Sequence, residues 1–216
     1  MSGPAAGGEG PDPEAPARGE GREPAPGQGV EPAPDAGLVE RRRVHPGRIV
    51  DLSLDTVRFP DASTGELEHI RHSGAAAVLP FLSDPTGDDP HILLVRQYRY
   101  SAGGYLLEVP AGRPDREGEP WEEVARRELE EEVGVRAGRL ERLTSILTTP
   151  GFSDERIHLF MAWDLTEGTV RRDADEFMEP VRLRMSEALE RARDGGITDA
   201  KTLCTLLYAA GFRLGR

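Results

Sequence analysis

The chain is poor in cysteine, lysine and aromatic residues, and it has no long apolar run. One cysteine in 216 residues excludes a disulfide within the chain, and a reducing compartment, the cytoplasm, is expected. No segment approaches the roughly 18 apolar residues of a membrane-spanning helix, so we expect no membrane contact. The formal net charge of −12 argues against nucleic acid as a partner, because bulk electrostatics would repel it. At 216 residues the chain is long enough for one domain with a sizeable core, and an acidic protein that acts on anions must recruit cations locally.

Composition divides the chain into three parts. Residues 1–38 consist mainly of Gly, Pro, Ala and Glu, without aromatic residues, and we predict a disordered tail. Residues 39–73 are predicted to form a small antiparallel sheet, since Arg48–Phe59 largely alternates apolar and polar residues and Glu66–His72 can return beside it. Residues 74–216 are expected to form the main domain.

The main domain alternates apolar runs with helical patterns, as in an α/β fold. Its predicted core strands are Ala75–Leu82, His91–Val95, Tyr105–Val109, Leu140–Thr149, Arg156–Leu165 and Val181–Arg184. Pro120 and Gly134 delimit a predicted helix. Ser186 is predicted to cap a second helix, and Thr198 or Asp199 a third.

The first of these helices carries a cluster of carboxylates. Glu128 and Glu132 are four residues apart and share one face, and Glu131 flanks them. Like charges at this spacing destabilise a helix by roughly a few tenths of a kcal/mol per pair. A divalent cation would remove that penalty, and Mg²⁺ prefers carboxylate and phosphate oxygens. The cluster follows a turn at Gly112, which suits a metal held against a phosphate-bearing substrate.

This stretch resembles the signature of the Nudix hydrolases, G-x5-E-x7-R-E-U-x-E-E-x-G-U, in which U is a bulky aliphatic residue. Glu119, the seven residues after it and the run Arg127–Val135 fit the signature. Six residues, in place of five, separate Gly112 from Glu119, an insertion that a surface loop tolerates cheaply. The resemblance implies an α/β/α Nudix sandwich with a mixed sheet over residues 74–216, preceded by the small N-terminal sheet.

The resemblance also implies a metal site. Its ligands would be the carbonyl oxygen of Ala111 with Glu128 and Glu132, and Glu131 lies close by. Mg²⁺ is the expected ion and Mn²⁺ the alternative. Glu108 would act on the substrate side, through a water on the metal. Arg127 is interpreted as a partner that orients the helix carboxylates.

Further segments resemble the ADP-ribose pyrophosphatase branch of the family. In such relatives the N-terminal sheet helps to build a homodimer, which we therefore expect here. Arg96–Tyr100 precedes the Glu-x-Pro-Ala-Gly turn, and both Arg96 and Arg99 are candidates for substrate binding. Because they are three apart on a strand, they point to opposite faces, and we favour Arg99 as the one in the cleft. Glu155, near Pro150, is a candidate for contact with the substrate ribose.

The general base is sought in an acidic loop after the last long strand. In relatives, a glutamate from a mobile loop here completes the metal site or takes the proton of the attacking water. Glu176 fits best by its spacing, Asp175 and Asp173 are the next candidates, and Glu179 stays open. Glu131 on the helix is also a candidate catalytic residue.

The function implied is Mg²⁺-dependent hydrolysis of the diphosphate bond of ADP-ribose to AMP and ribose 5-phosphate. Two alternatives stay open. The substrate could be another nucleoside-diphosphate derivative, a sugar nucleotide or a dinucleotide. The chain could also be a non-catalytic sensor that binds ADP-ribose. The presence of every carboxylate of the signature argues against this alternative.

Overall fold

The computed structural model of the protein describes residues 30–47, 49–172 and 176–215. Residues 1–29, most of the predicted tail, and Asp173 and Asp175 lie outside this range. The helices are α1 (Trp121–Val133), α2 (Met185–Arg193) and α3 (Ala200–Tyr208), and a π-helical turn, Ala209–Leu214, continues α3. The strands are β1 (Gly37–Pro46), β2 (Asp51–Arg58), β3 (Thr64–Arg71), β4 (Ala75–Pro80), β5 (His91–Arg99), β6 (Gly104–Glu108), β7 (Ala111–Gly112), β8 (Val135–Leu147), β9 (Arg156–Glu167) and β10 (Met178–Arg184).

Two sheets form the main domain. In the first, with order β7-β4-β9-β8, the β4–β9 pair is parallel and the other pairs are antiparallel. The second, with order β10-β5-β6, is antiparallel. The chain passes from β6 in one sheet to β7 in the other through Val109 and Pro110. This crossing brings the turn before α1 to the place where the two sheets meet.

Alternate residues of β4 supply two separate hydrophobic cores. Ala75, Ala77 and Leu79 pack in a core with residues of α2 and α3. Ala76 and Val78 pack in a second core with the apolar stripe of α1. Because successive side chains of a strand leave on opposite faces, helices cover both faces of the strand layer. The predicted α/β/α sandwich with a mixed sheet is confirmed.

The N-terminal lobe is the antiparallel sheet β1-β2-β3. Its third strand is fastened to the loop between β8 and β9. The Ile70 amide donates to the Phe152 carbonyl at 2.8 Å, and the His72 amide donates to Asp154 Oδ1 at 2.7 Å. The lobe therefore lies beside the same loop that carries Glu155.

Helix α1 begins and ends where its sequence predicts. It starts directly after Pro120, and Gly134 adopts the left-handed conformation, with φ of 70°, that ends helices. Val124, Ala125 and Leu129 are fully buried on one side. The opposite side can therefore present carboxylates to the cleft. Within the described residues, no helix has the length and apolar character to span a bilayer.

Candidate active site

A cleft of about 1030 Å³ opens where the two sheets, α1 and the start of α3 meet. A smaller hollow of about 660 Å³ lies between Pro34–Val39 and Arg58–Ala62, away from the predicted site residues. The larger cleft is lined by many of the predicted site residues: Arg99, Ala111, Glu128, Glu131, Glu155 and Glu176. It also has lining residues that the sequence did not single out for chemistry, among them Asp199, Lys201 and Arg171.

Glu128 and Glu132 form the buried acidic floor of the site. Their residues are 9% and 2% exposed, which is low for ionisable side chains. Glu132 Oε2 accepts a hydrogen bond from the Ala111 amide at 3.2 Å. This bond joins the carboxylate of α1 to the turn whose carbonyl is the predicted third ligand.

Gly112 leaves the space that Glu128 occupies. A Cβ atom added at Gly112 would lie 2.1 Å from the carboxyl carbon of Glu128. No side chain larger than a hydrogen fits there unless the carboxylate moves. The sequence needs glycine here because α1 brings its carboxylate against the main chain of β7.

Arg127 orients the exposed side of the acidic cluster. Its Nη1 donates to Glu128 Oε1 at 2.7 Å and to Glu131 Oε2 at 3.2 Å. Its Nη2 donates to the Arg113 carbonyl at 2.7 Å, and its Nε lies 3.5 Å from Glu119 Oε1. Arg127 therefore also ties α1 to the loop after β7.

The pKa values of the two floor carboxylates are raised in the metal-free protein. Burial raises the pKa of Glu128 to about 7, against the opposing effect of Arg127 and with smaller contributions from Glu131 and Glu176. Burial also raises the pKa of Glu132 well above its ordinary value, and the charges of Glu128 and Glu176 add to it. A cation bound beside these two buried acids would stabilise their ionised forms and lower both pKa values.

The donor set fits a hard divalent ion. Carboxylate oxygens of Glu128 and Glu132, with a main-chain carbonyl at Ala111, are the oxygen ligands that Mg²⁺ and Mn²⁺ take. Among the described residues, no three acidic or histidine side chains already converge on one point. Glu128 and Glu131 turn instead to Arg127, and Glu132 to the Ala111 amide. Each of these bonds uses one oxygen of its carboxylate, so the other oxygen can bind an ion while the bond is kept.

A second charged network forms one wall of the cleft. Arg99 donates through Nε and Nη2 to the two oxygens of Glu108, each at 2.8 Å. Lys201 donates to Glu108 as well, and to Asp199 Oδ1 at 3.0 Å. Although Glu108 is buried, these two cations hold its pKa below the ordinary value. Glu108 is therefore a paired anion, and Lys201, for which the sequence predicted no role in the site, is part of the cleft.

The predicted Arg96 lies elsewhere. Its guanidinium carbon stacks 3.8 Å from the ring centroid of Tyr105, and its Nη1 donates to Glu179 at 2.9 Å. It is not among the residues that line the cleft. Arg99, on the opposite face of β5, does line it.

The remaining predicted residues come from two loops. Glu155 accepts from the Thr148 hydroxyl at 2.7 Å and lies 3.5 Å from His72 Nδ1, at the end of the cleft nearest the N-terminal lobe. Glu176 lines the cleft, and its charge acts on Glu128 and Glu132. Of the other loop candidates, Asp175 and Asp173 lie outside the described residues, and Glu179 pairs with Arg96 and does not line the cleft.

Known proteins resemble this chain in sequence and in fold. The NUDIX domain family model matches residues 72–205, more than half of the chain. The chain is 36% identical over 172 residues to a Methanol dehydrogenase activator from Bacillus methanolicus, and 34% identical over 172 residues to an ADP-ribose pyrophosphatase from Bacillus subtilis. Both matches span 79% of this chain and 90% of the relative.

A GDP-mannose pyrophosphatase from Yersinia enterocolitica is 32% identical over 166 residues, 73% of this chain and 84% of its own length. Among solved structures, an ADP compounds hydrolase superposes with a TM-score of 0.71 over 86% of this chain and 98% of that chain. At 22% identity, this last likeness concerns the fold alone.

Proposed function

The chain belongs to the Nudix family of hydrolases, and from that premise we propose that it hydrolyses the diphosphate bond of ADP-ribose in the presence of Mg²⁺. The products would be AMP and ribose 5-phosphate. The observation that carries the proposal is the pair of buried carboxylates, Glu128 and Glu132, set under the turn at Ala111 and Gly112 in a wide cleft. The ADP-ribose pyrophosphatase from Bacillus subtilis supports the choice of substrate.

Glu128, Glu132 and the Ala111 carbonyl would hold the ion, and Glu131 would stand beside them. When bound, Mg²⁺ would supply Lewis-acid neutralisation of the charge that gathers on the phosphate oxygens. Arg127 would steer Glu128 and Glu131 by charge-assisted hydrogen bonds. The Nη1 side of Arg99 would donate to a diphosphate oxygen, since Nε and Nη2 of that guanidinium bind Glu108.

In the proposed reaction a water oxygen attacks one phosphorus atom, and the bond from that phosphorus to the bridging oxygen breaks. The water proton passes to a carboxylate. We propose Glu176 for this role because it lines the cleft and acts electrostatically on both floor carboxylates. Asp175 and Glu131 are the other candidates. Glu155, at the far end of the cleft, is proposed to contact a ribose of the substrate. For Arg96, the substrate contact stays a prediction.

A second candidate substrate is a nucleoside-diphosphate sugar. The likeness to the GDP-mannose pyrophosphatase favours it specifically. The same carboxylates would serve, because the reaction again breaks a diphosphate bond. Only the parts of the cleft that hold the base and the sugar would differ.

Substrate and ion are tested together by product release from ADP-ribose, GDP-mannose, UDP-glucose, NADH and diadenosine polyphosphates, each with Mg²⁺, Mn²⁺ or EDTA. We expect AMP from ADP-ribose with Mg²⁺, a much slower reaction with the other compounds, and none with EDTA. Preferred cleavage of GDP-mannose would move the substrate to the second candidate. Binding of ADP-ribose without any turnover would favour a sensor.

Glu132→Gln provides the test of the metal-ligand role. Glutamine keeps an oxygen that can accept from the Ala111 amide but removes the negative charge. We expect kcat to fall by at least roughly 10²-fold, the scale of losing one preorganised electrostatic group, while the circular dichroism spectrum stays unchanged. The measurement is steady-state kinetics with ADP-ribose and Mg²⁺. Wild-type turnover in this variant would contradict the assignment.

The homodimer and the cytoplasmic location stay predictions. Every residue of β1 is exposed, and three of them, Leu38, Val39 and Val44, are large apolar side chains about half accessible. An exposed apolar strand of this kind is suited to contact with another subunit. Light scattering of the full chain measures the mass and would decide between one subunit and two.

A further inference from the structure

Arg172 binds two separate main-chain carbonyls with one guanidinium group. Its Nε donates to the Glu132 carbonyl at 2.8 Å, and its Nη1 donates to the Met178 carbonyl at 2.9 Å. The first carbonyl lies in the last turn of α1, next to the acidic floor of the cleft. The second lies at the start of β10. Arg172 thus joins two elements that are far apart in sequence.

The first contact gives a hydrogen-bond partner to a carbonyl in the last turn of α1. The last carbonyls of an α-helix have no partner within it, and arginine side chains can supply one. Here the Glu131 carbonyl accepts from the Arg171 amide at 2.9 Å, and the Gly134 carbonyl from the Gly168 amide at 2.8 Å. Arg172 adds a third hydrogen bond, to the Glu132 carbonyl, so the segment from Gly168 to Arg172 is bonded to the C-terminal end of α1.

The second contact fixes the other side of the acidic loop. Glu176 stands two residues before Met178, and the Phe177 carbonyl between them accepts from the Tyr98 amide at 2.9 Å. The main chain on the C-terminal side of Glu176 is therefore held by β5 and by Arg172. The negative charge of Glu176 in turn helps to raise the pKa values of Glu128 and Glu132 on α1.

We propose that Arg172 is a positioning residue that sets where Glu176 stands relative to the carboxylates of α1. One planar guanidinium can hold two acceptors in a fixed relation, whereas an ammonium group is a point charge without such a fork. The inference rests on the proposed function, because it gives Glu176 a part in the reaction. It adds a residue that contacts neither substrate nor ion.

The first test compares Arg172→Ala and Arg172→Lys with Arg139→Ala. The control removes one arginine from an exposed ion pair with Asp164 on β8 and β9. With ADP-ribose and Mg²⁺, we expect Arg172→Ala to lower kcat by roughly 10- to 100-fold, as loss of an orienting partner does, with KM within about twofold. Arg172→Lys should recover only part of the loss, and the control should match the wild type. Full recovery by lysine would overturn the proposal.

The second test uses Glu176→Gln. If Arg172 acts through the position of Glu176, Arg172→Ala should cause little further loss of kcat in the Glu176→Gln background. Multiplied losses in the double variant would show an independent effect and overturn the proposal. The melting temperature of each variant is measured alongside. This excludes general unfolding as the cause of a lower kcat.

The third test needs neither substrate nor ion. Amide hydrogen exchange of the metal-free protein reports on the Arg171 amide, which donates to the Glu131 carbonyl, and on the Tyr98 amide, which donates to the Phe177 carbonyl. We expect both to exchange faster in Arg172→Ala than in the wild type and in Arg139→Ala. Unchanged exchange would overturn the inference even if ADP-ribose is hydrolysed. Faster exchange in Arg172→Ala, together with a wild type that hydrolyses none of the substrates, would refute the proposed function. It would still support the role of Arg172 in holding α1 and β10 together.

Discussion

His158 shows how one buried residue can govern the response of this fold to acid. Its ring stacks on Trp121 at a centroid distance of 4.2 Å, and its Nδ1 lies 3.2 Å from Arg142 Nη2. Burial, then the charges of Arg142 and Arg156, lower its pKa to about 4. The folded protein therefore keeps this ring neutral under conditions in which the unfolded chain, with a pKa near 6.5, protonates it.

From this depression of the pKa we predict a loss of stability in mild acid. Between about pH 6.5 and 4 the unfolded state binds the proton that the folded state refuses, so the free energy of unfolding falls as the pH falls. With an allowance for solvent screening, the loss is on the order of 2 kcal/mol. In His158→Asn, which can still accept from Arg142, this part of the pH dependence should vanish. Denaturant unfolding at several pH values in this range measures it, and parallel curves for the two proteins would contradict the prediction.

Residues such as Lys201 mark the limit of sequence reasoning at this scale. Its pairing with Glu108 joins positions 93 apart, and no local pattern announces such a contact. Its one visible signal was that it stands alone as a lysine among arginines. Arg172 gave no signal at all, because its acceptors are main-chain carbonyls, which every residue possesses. The carboxylates of α1 were predictable because helical spacing places them on one face.

Among the elements, α1 was the most predictable and β1 the least. Pro120, Gly134 and the apolar stripe of α1 act through local geometry, so sequence alone places the helix ends. Strand β1 is exposed at every residue, so it lacks the alternation by which strands are recognised. The interpretation of Ser186 as a helix cap was wrong. Helix α2 already begins at Met185, and the Ser186 hydroxyl donates to Asp89 at 2.8 Å.

The contact between β7 and α1 yields a prediction about Gly112. Its replacement by alanine would place Cβ on the carboxylate of Glu128, which can swing aside because it is the end of a flexible side chain. We therefore expect Gly112→Ala to change the free energy of unfolding by less than about 1 kcal/mol and yet to lower kcat by at least roughly 10²-fold.

Gly211→Ala serves as the control for this replacement, since an added Cβ there meets no atom within 4 Å. It should leave both quantities near their wild-type values. Unfolding titrations and steady-state kinetics on the same preparations provide the comparison. An active Gly112→Ala protein would show that Glu128 need not occupy its present position.

For the whole molecule, the acidic floor makes stability depend jointly on pH and divalent ions. The raised pKa values of Glu128 and Glu132 mean that the metal-free folded protein retains protons that the unfolded chain has released. Its stability therefore falls as the pH rises through about 7. A bound cation favours the ionised carboxylates and offsets this loss.

We predict that Mg²⁺ raises the melting temperature more at pH 8 than at pH 6. An ion present at 100 times its dissociation constant stabilises the folded state by about 2.7 kcal/mol, and this constant should improve as the carboxylates ionise. Calorimetry at both pH values, with Mg²⁺ and with EDTA, measures the difference. Glu132→Gln should reduce it. Equal shifts at the two pH values would argue against Glu128 and Glu132 as the ion-binding pair.

The pairing of Lys201 with Glu108 and Asp199 has one more consequence. Of the 27 Lys and Arg residues, Lys201 is the single lysine, so the bond from Lys201 to Thr202 is the one peptide bond in the sequence that a lysine-specific endoprotease can cut. That bond lies in the first turn of α3, its lysine side chain is 11% exposed, and Thr202 is fully buried. Digestion by such an enzyme must wait until α3 leaves the body of the protein. The rate of cleavage at this one site therefore reports how often the C-terminal helix α3 detaches from the rest of the protein.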